Sequence, residues 1–494
     1  MMTQTMSAQQ LAKLSTLVAR WTGLHFPKDR WTELERGVAR ASQELGHSST
    51  DAFMSRLMAQ SLDDEQIQKL AWHLTIGETY FLRGKSAFEV LEKKIIPRLI
   101  SERRSSRQIR IWSAGCSGGE EPYSLAVMMA RHIADLADWR VTILATDINT
   151  QSLEKARRGI YGSWSFRDTP DWLRQHYFTE VGRDQWEIRP QIKEMVTFSY
   201  LNLALDPFPS LLNNTYAMDL IFCRNVVMYF GRDVMAGVVS NFHESLRDGG
   251  HLFTAPSEAS HELFPQFARA AEFGEVFFCK DDDAVAAEVE AKKVLRAGAA
   301  TLARKTSGRA PAKPASARPK APAAPGKAST PAKTPAKTPA ARRPAAAKPT
   351  PAAATPAGAP DQAAQLISEA RAGANRGQLD EALAKCEQAI AIDKLNAGYR
   401  YLYATILQEL DRPDEAIKAL NSALYLDRDF VLAHFLLGNI ARGNSRAAEA
   451  ETHFRRALSL LDAMPEDTEL PEADGLTAGR LAKIITSILQ TEVV

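Results

Sequence analysis

The sequence predicts an α/β protein: a doubly wound, largely parallel sheet, preceded by a helical segment and followed by an all-α array of repeats. Three observations carry this. Between residues 108 and 280, runs apolar on both faces alternate with helical segments, as a parallel sheet covered by helices requires. Upstream, residues 1–85 place Leu11, Leu14 and Val18 on one helical stripe and Leu34 and Val38 on another. Beyond residue 360, residue types recur at a fixed step of about 34 positions.

A chain of 494 residues implies two to four folded units at roughly 100–200 residues each. Hydrophobic residues make up 45% and charged residues 24%, which excludes the membrane and fibrous classes. The formal net charge of +2 hides an asymmetry, because residues 291–360 hold about 15 Lys and Arg and no Asp or Glu. The rest is therefore acidic, which argues against a nucleic-acid-binding core. The basic tract also lacks interleaved aromatics for base stacking, so no nucleic-acid partner is expected. Residues 1–20 lack the apolar run of a signal peptide, and no segment offers about 18 uninterrupted apolar residues. A cytoplasmic protein without direct membrane insertion is the expectation.

The strands are expected at 109–115, 141–147, 195–201, 218–225, 251–256 and 275–280. The expected units are a helical segment at 1–85 and the sheet-containing segment at 86–284, with a small β-subdomain at about 163–198. A Pro/Ala/Lys-rich tract at 285–360 contains PAKTPAKTPA; it cannot bury a core and is expected to be a disordered linker.

In the final segment, 361–494, Glu381-Ala382-Leu383, Glu415-Ala416-Ile417 and Glu449-Ala450-Glu451 stand in register, as do Ala389, Ala423 and Ala457. Leu402 aligns with Leu436, and Ala404 with Gly438. A period of about 34 residues with small side chains at helix crossings resembles the tetratricopeptide repeat, in about three copies, with Pro413 at an inter-repeat turn. Such a solenoid offers a groove for a peptide or protein ligand that the sequence does not identify.

The chemistry gathers at the strand ends. The first strand runs into Gly115-Cys116-Ser117-Gly118-Gly119-Glu120-Glu121, and glycines at this bend let a ligand lie against the backbone. The second ends in Asp147, where a carboxylate can accept from both hydroxyls of a ribose. Together they describe a nucleoside site. A dinucleotide fold wants G-x-G-x-x-G and a phosphate at the helix N-terminus, where Glu120 and Glu121 would repel it. S-adenosylmethionine, cationic and without phosphate, suits the turn better. Asn202 and Asn225 each follow a strand, where an amide pairs with an adenine edge or caps the next turn. Cys116, Cys223, Cys279 and Cys386 show no metal-ligand spacing, so they read as reduced thiols, and no metal site is expected.

RIWSAGCSGGEEPYSLA, ATDINTQSLEKARRGIY, DLIFCRNVVMYF and LRDGGHLFTAPSE, in that order, resemble the chemotaxis receptor methyltransferases, the CheR family. The likeness runs from about residue 10 to 282, and Gly77-Glu78-Thr79-Tyr80-Phe81-Leu82-Arg83 resembles the family's signature joining its N-terminal helical domain to the catalytic one. The resemblance implies a Rossmann-like methyltransferase that esterifies glutamates on the cytoplasmic helices of methyl-accepting receptors. It implies that Gly77, Thr79 and Arg83 face the cofactor, and that Glu120 or Glu121, with Gly115 and Asp147, holds its amino acid or ribose portions. Asn202 and Leu203 would flank the adenine, and Arg224, Asn225 and Tyr229 complete the pocket. Arg83 and Tyr229 are the candidate catalytic residues, orienting the incoming carboxylate or walling it. The alternative is a non-catalytic, S-adenosylmethionine-sensing scaffold whose repeats bind partners.

Some family members carry a glycine-rich loop in the β-subdomain that docks on a receptor's C-terminal pentapeptide. Here Thr179–Gln185 is short and has one glycine, so no pentapeptide tethering is expected. Lys28, Arg30, Arg36 and Arg40 form either a receptor-facing patch or a solvated face. The added repeats resemble members serving surface sensing and biofilm control.

Overall fold

In a computed structural model of the chain the described residues are 6–290 and 359–491, without 48, 60–63, 261, 288, 289, 445 and 474. The expected linker at 285–360 lies, apart from its margins, outside the described residues. The N-terminal helices are α1 (Ala8–Thr22), α2 (Trp31–Glu44), α3 (Thr50–Met58) and α4 (Asp64–Leu74). Ser7 starts α1 with a reciprocal cap: its hydroxyl accepts from the Gln10 amide, and its own amide donates to Gln10 Oε1. Gly23 ends the helix at φ +79°, a left-handed cap that costs glycine little. The expected stripes face inward, since Leu14, Val18, Leu34 and Val38 are wholly buried.

The strands follow as β1 (Gln108–Ala114), β2 (Arg140–Asp147), β3 (Ile160–Tyr161), β4 (Phe178–Gly182), β5 (Gln185–Ile188), β6 (Val196–Tyr200), β7 (Met218–Phe222), β8 (Leu246–Phe253), β9 (Ala268–Glu272) and β10 (Glu275–Cys279). Seven form one sheet in the order β6-β2-β1-β7-β8-β10-β9, and β3-β5-β4 form a second, small one. Five neighbours run parallel and β10 and β9 add antiparallel. Crossover helices α5 (Glu120–His132), α6 (Thr150–Arg158) and α7 (Arg232–Ser245) connect them. The order reverses beside β1, so the ends of β1, β2 and β7 leave a crevice at the switch point. Strand β7 is buried throughout. Its Asp219 is tolerated there because it accepts from Arg103 Nε at 2.8 Å and from the Arg110 amide at 2.8 Å.

The repeat helices are α8 (Ala359–Asn375), α9 (Leu379–Ile392), α10 (Ala397–Glu409), α11 (Pro413–Leu426), α12 (Val431–Gly443), α13 (Ala447–Leu461) and α14 (Ala478–Thr491). Ala382, Ala416 and Ala450 are buried at equivalent places, and Glu381, Glu415 and Glu449 sit in first helical turns, where a carboxylate opposes the helix dipole favourably. Pro413 corrects one expectation. It opens α11 within a helical pair, where its fixed φ and missing N–H cost nothing. The described residues up to 285 and from 360 onward belong to one compact unit, and the repeats' apolar cluster takes in Leu211, Tyr216 and Ala217 from the loop before β7. Arg110 Nη1 donates across the same contact to Glu409 Oε2 at 3.1 Å. No helix among the described residues is long and apolar enough to cross a membrane.

Candidate active site

At the carboxyl end of β1 the chain must turn without side-chain bulk. Gly115 does so at φ +81°, and a Cβ there would stand 2.4 Å from Val226 Cγ2. Ser117 follows at φ +49°, and its amide donates to Asp147 Oδ2 at 2.8 Å. Asp147 Oδ1 accepts from the Asn149 amide at 2.8 Å. Burial pushes the Asp147 carboxyl above its ordinary range while these amides pull it back. The strand end and the glycine turn are thus fastened through one carboxylate, with room for a further donor at each oxygen.

Two clefts meet here. The first, about 730 Å³ with its open mouth, is lined by Gly77, Gly115, Asp147, Asn202, Leu203, Asn225 and Tyr229 among others. The second, about 940 Å³ on the same measure, is lined by Thr79, Arg83, Glu121, Arg224, Asn225 and Tyr229. Ile76, Gly115, Ser117, Asn225 and Tyr229 border both, so the two are continuous. Of the residues singled out in the sequence, Glu120 alone stands apart. It is wholly buried, and its Oε1 accepts from Lys155 Nζ at 3.0 Å and Ser165 Oγ at 2.9 Å, which fastens α5 to its neighbours. Glu121 is the one of the pair at the cleft. Ser113 Oγ donates to it at 2.8 Å, and burial raises its carboxyl above the usual range against the pull of Arg224.

Asn202 uses its amide oxygen to cap its own turn, accepting from the Ala204 amide at 3.0 Å. Asn225 holds φ +60°, a conformation asparagine tolerates better than most residues. Arg224 is 5% exposed in its side chain and donates through Nη1 to the Arg83 carbonyl. Its Nε has no hydrogen-bond partner. Arg83 is anchored from Nη1 to the Glu78 carbonyl at 2.5 Å. Tyr229 has Arg30 over its ring at 5.1 Å, and burial raises its hydroxyl pKa. Arg30 also pairs with Glu33 at 2.8 Å, so this member of the basic group is committed internally.

Sequence reasoning missed two contributions. Thr22, Leu24, Leu74 and Thr75, at the C-terminal ends of α1 and α4 and just beyond them, line the first cleft, and the His25 amide donates to the Tyr229 carbonyl at 2.7 Å. Nothing local in the sequence signals this contact. Glu258 is 2% exposed and accepts from the amides of Asn225 at 2.8 Å, Val226 at 2.8 Å, Met228 at 3.2 Å and Ala255 at 3.0 Å. A lone carboxylate straight after an apolar strand, in TAPSEA, was the available signal.

The site suits a nucleoside carrying a cation. Carboxylates at Asp147 and Glu121 offer acceptors for hydroxyl and ammonium groups. Leu201, Leu203, Val226 and Phe230 supply an apolar wall, and Arg224, which lines the second cleft, a cation for a carboxylate. These residues fit S-adenosylmethionine, and fold and site define an S-adenosylmethionine-dependent methyltransferase. A family model described as CheR methyltransferase, SAM binding domain, matches residues 77–271, and a tetratricopeptide repeat model matches 374–440. The chain is 31% identical over 252 residues to a chemotaxis protein methyltransferase of Borreliella burgdorferi, covering 50% of this chain and 87% of that one. It is 32% identical over 242 residues to chemotaxis protein methyltransferase 2 of Vibrio cholerae, covering 49% and 82%. It is 33% identical over 242 residues to one from Listeria innocua, covering 49% and 87%. The chain belongs to the chemotaxis protein methyltransferase family and is a protein methyltransferase.

Proposed function

We propose that this enzyme methylates glutamate side chains on the cytoplasmic helices of methyl-accepting chemotaxis-type receptors, leaving glutamyl methyl esters. The observation that carries the reading is the continuity of the two clefts, one built for a nucleoside and the other rimmed by Arg83, Arg224 and Tyr229. S-adenosylmethionine, when bound, supplies a methyl carbon made electrophilic by its sulfonium. Asp147 and Asn202 would hold its ribose and adenine portions, and Glu121 and Arg224 its amino acid end.

A glutamate side chain in water ionises at about pH 4.3, so it is already an anion at neutral pH. The chain therefore needs no strong general base, and its task is to orient two opposite charges away from water. Arg83 presents a cation at the mouth of the second cleft. Tyr229, kept protonated by its surroundings, offers a neutral hydrogen-bond donor at the junction. Arg83→Ala and Tyr229→Phe are expected to lower turnover far more than cofactor binding. The deciding assay is transfer of radiolabelled methyl groups from S-adenosylmethionine to cytoplasmic receptor fragments, with alkali release of methanol diagnosing an ester. Cofactor binding without any transfer would instead support a sensing scaffold.

The β4–β5 connection supports recognition without a receptor tail. Only Arg183 and Asp184 separate the strands, which leaves no extended loop for a pentapeptide. Deleting a receptor's last five residues should leave its affinity unchanged. A place in surface sensing or biofilm control, and a peptide or protein ligand for the repeats, complete the proposal.

A further inference from the structure

The loop from Leu201 to Ala217 touches the cofactor cleft at one end and the repeat helices at the other. Leu201, Asn202 and Leu203 line the cleft, whereas Leu211, Tyr216 and Ala217 are buried in the repeats' apolar cluster. Asp206 lies between them. Its Oδ2 accepts from the Asn202 amide at 2.6 Å, and its Oδ1 is ion-paired at 2.8 Å with Nη2 of Arg480, a residue of α14. The Asp206 side chain is 8% exposed and that of Arg480 29%. The same guanidinium reaches the Tyr200 hydroxyl from Nη1 at 3.4 Å. On the opposite side the loop is pressed by the end of α1, where a Cβ on Gly23 would stand 2.1 Å from Ala204 Cβ.

A carboxylate this buried is held ionised by a partner, and removing the partner leaves an uncompensated charge. Without Arg480, Asp206 must take up a proton or turn toward water: a proton on Oδ1 leaves Oδ2 a weaker acceptor for the Asn202 amide, and a turn toward water withdraws it. We propose that Arg480 is a positioning residue for the cofactor cleft: α14 reaches across to fix the Asn202 turn through Asp206, so the repeats set cofactor affinity as well as whatever partner they bind. By linkage, a partner that displaced α14 would weaken cofactor binding, and bound cofactor would oppose that partner by the same factor.

This rests on the reading that the first cleft holds S-adenosylmethionine, and the test separates the two. Binding of S-adenosylhomocysteine to the full-length protein is measured by isothermal titration. No binding by the unaltered protein would defeat the cofactor reading itself. If that protein binds, Arg480→Ala should weaken binding about tenfold, and Arg480→Lys should recover most of the loss. Asp206→Asn combined with Arg480→Ala should be no weaker than Arg480→Ala alone, because both sever one link. Glu409→Ala disturbs the contact with the repeats at Arg110, away from Asp206, and serves as the control. Unchanged affinity in Arg480→Ala overturns the proposal, as does an equal loss in Glu409→Ala. Should Arg480→Ala fail to fold, Arg480→Lys and Asp206→Asn decide the matter through their separate affinities: both unchanged overturns it, and a loss in Asp206→Asn that exceeds that in Arg480→Lys supports it.

Discussion

The α/β body and the repeat helices solve burial in opposite ways. The body buries carboxylates, Asp219 and Glu258 among them, and satisfies them with backbone amides and arginines. The repeats bury alanines at matching places, Ala382, Ala416 and Ala450 or Ala389, Ala423 and Ala457, and leave most of their ion pairs in water. A buried carboxylate is expensive unless every lone pair is used, so its presence marks a backbone that must hold one unusual shape. Small apolar contacts mark only close helix packing.

The sharpest way to break this contrast is at Glu258. Each of its oxygens accepts two backbone amides, so Glu258→Gln replaces one acceptor with an NH2 group that confronts two donors. At roughly 1–3 kcal/mol for each buried group left unsatisfied, the loss should be about 4 kcal/mol. Urea unfolding followed by circular dichroism checks it. A loss no larger than that of a surface substitution would show that the Asn225 turn holds its shape unaided.

The same contrast explains what was legible in the sequence. The Gly115 turn and Asp147 could be read because a glycine at a strand end and an acid at the next strand end are local signals of backbone geometry. The repeats could be read because Ala382, Ala416 and Ala450 recur in register. Glu120 and Glu121 could not be separated, since successive helical residues point about 100° apart and only the packing of Lys155 and Ser165 decides which one faces inward. The edge strand β9, ARAAE, has no apolar run because it is largely exposed, so its pairing with β10 left no pattern to detect. The dependence of the Asn202 turn on Arg480, which is distant in sequence, has no local signature at all.

A second buried polar group in the body should appear as a pH effect. His251 on β8 is 3% exposed, and its Nδ1 has no hydrogen-bond partner. Burial, helped by the nearby cations Arg98 and Arg247, lowers its pKa to about 4. The unfolded chain binds this proton near 6.5 while the folded one resists, so stability from the neutral ring is complete above about pH 6.5 and drains away as pH falls toward 4. The contribution is about 3 kcal/mol at most. His251→Phe should flatten the acid limb of the stability curve over that window, each protein being referenced to its own value at pH 7. An unchanged limb would assign acid sensitivity to other groups.

In the repeats, the sensitive positions should be the small ones. A Cβ on Gly438 would stand 2.6 Å from the ring of Phe454, so Gly438→Val must push α12 from α13 and should cost about 2 kcal/mol by overpacking. Far-UV unfolding curves test that figure. The smallest effect belongs to the repeats' charged surface. Arg412 makes a two-pronged contact with Glu415 at 2.7 Å from each of Nε and Nη2, good geometry on paper. Both side chains are more than 40% exposed, however, and water and salt screen such a pair almost as well as its partner does. Arg412→Ala should therefore leave the thermal midpoint unchanged at physiological salt, while Gly438→Val lowers it plainly. If the order reversed, the repeats would depend on surface charge rather than on the small-residue register, and the division drawn between the two regions would fail.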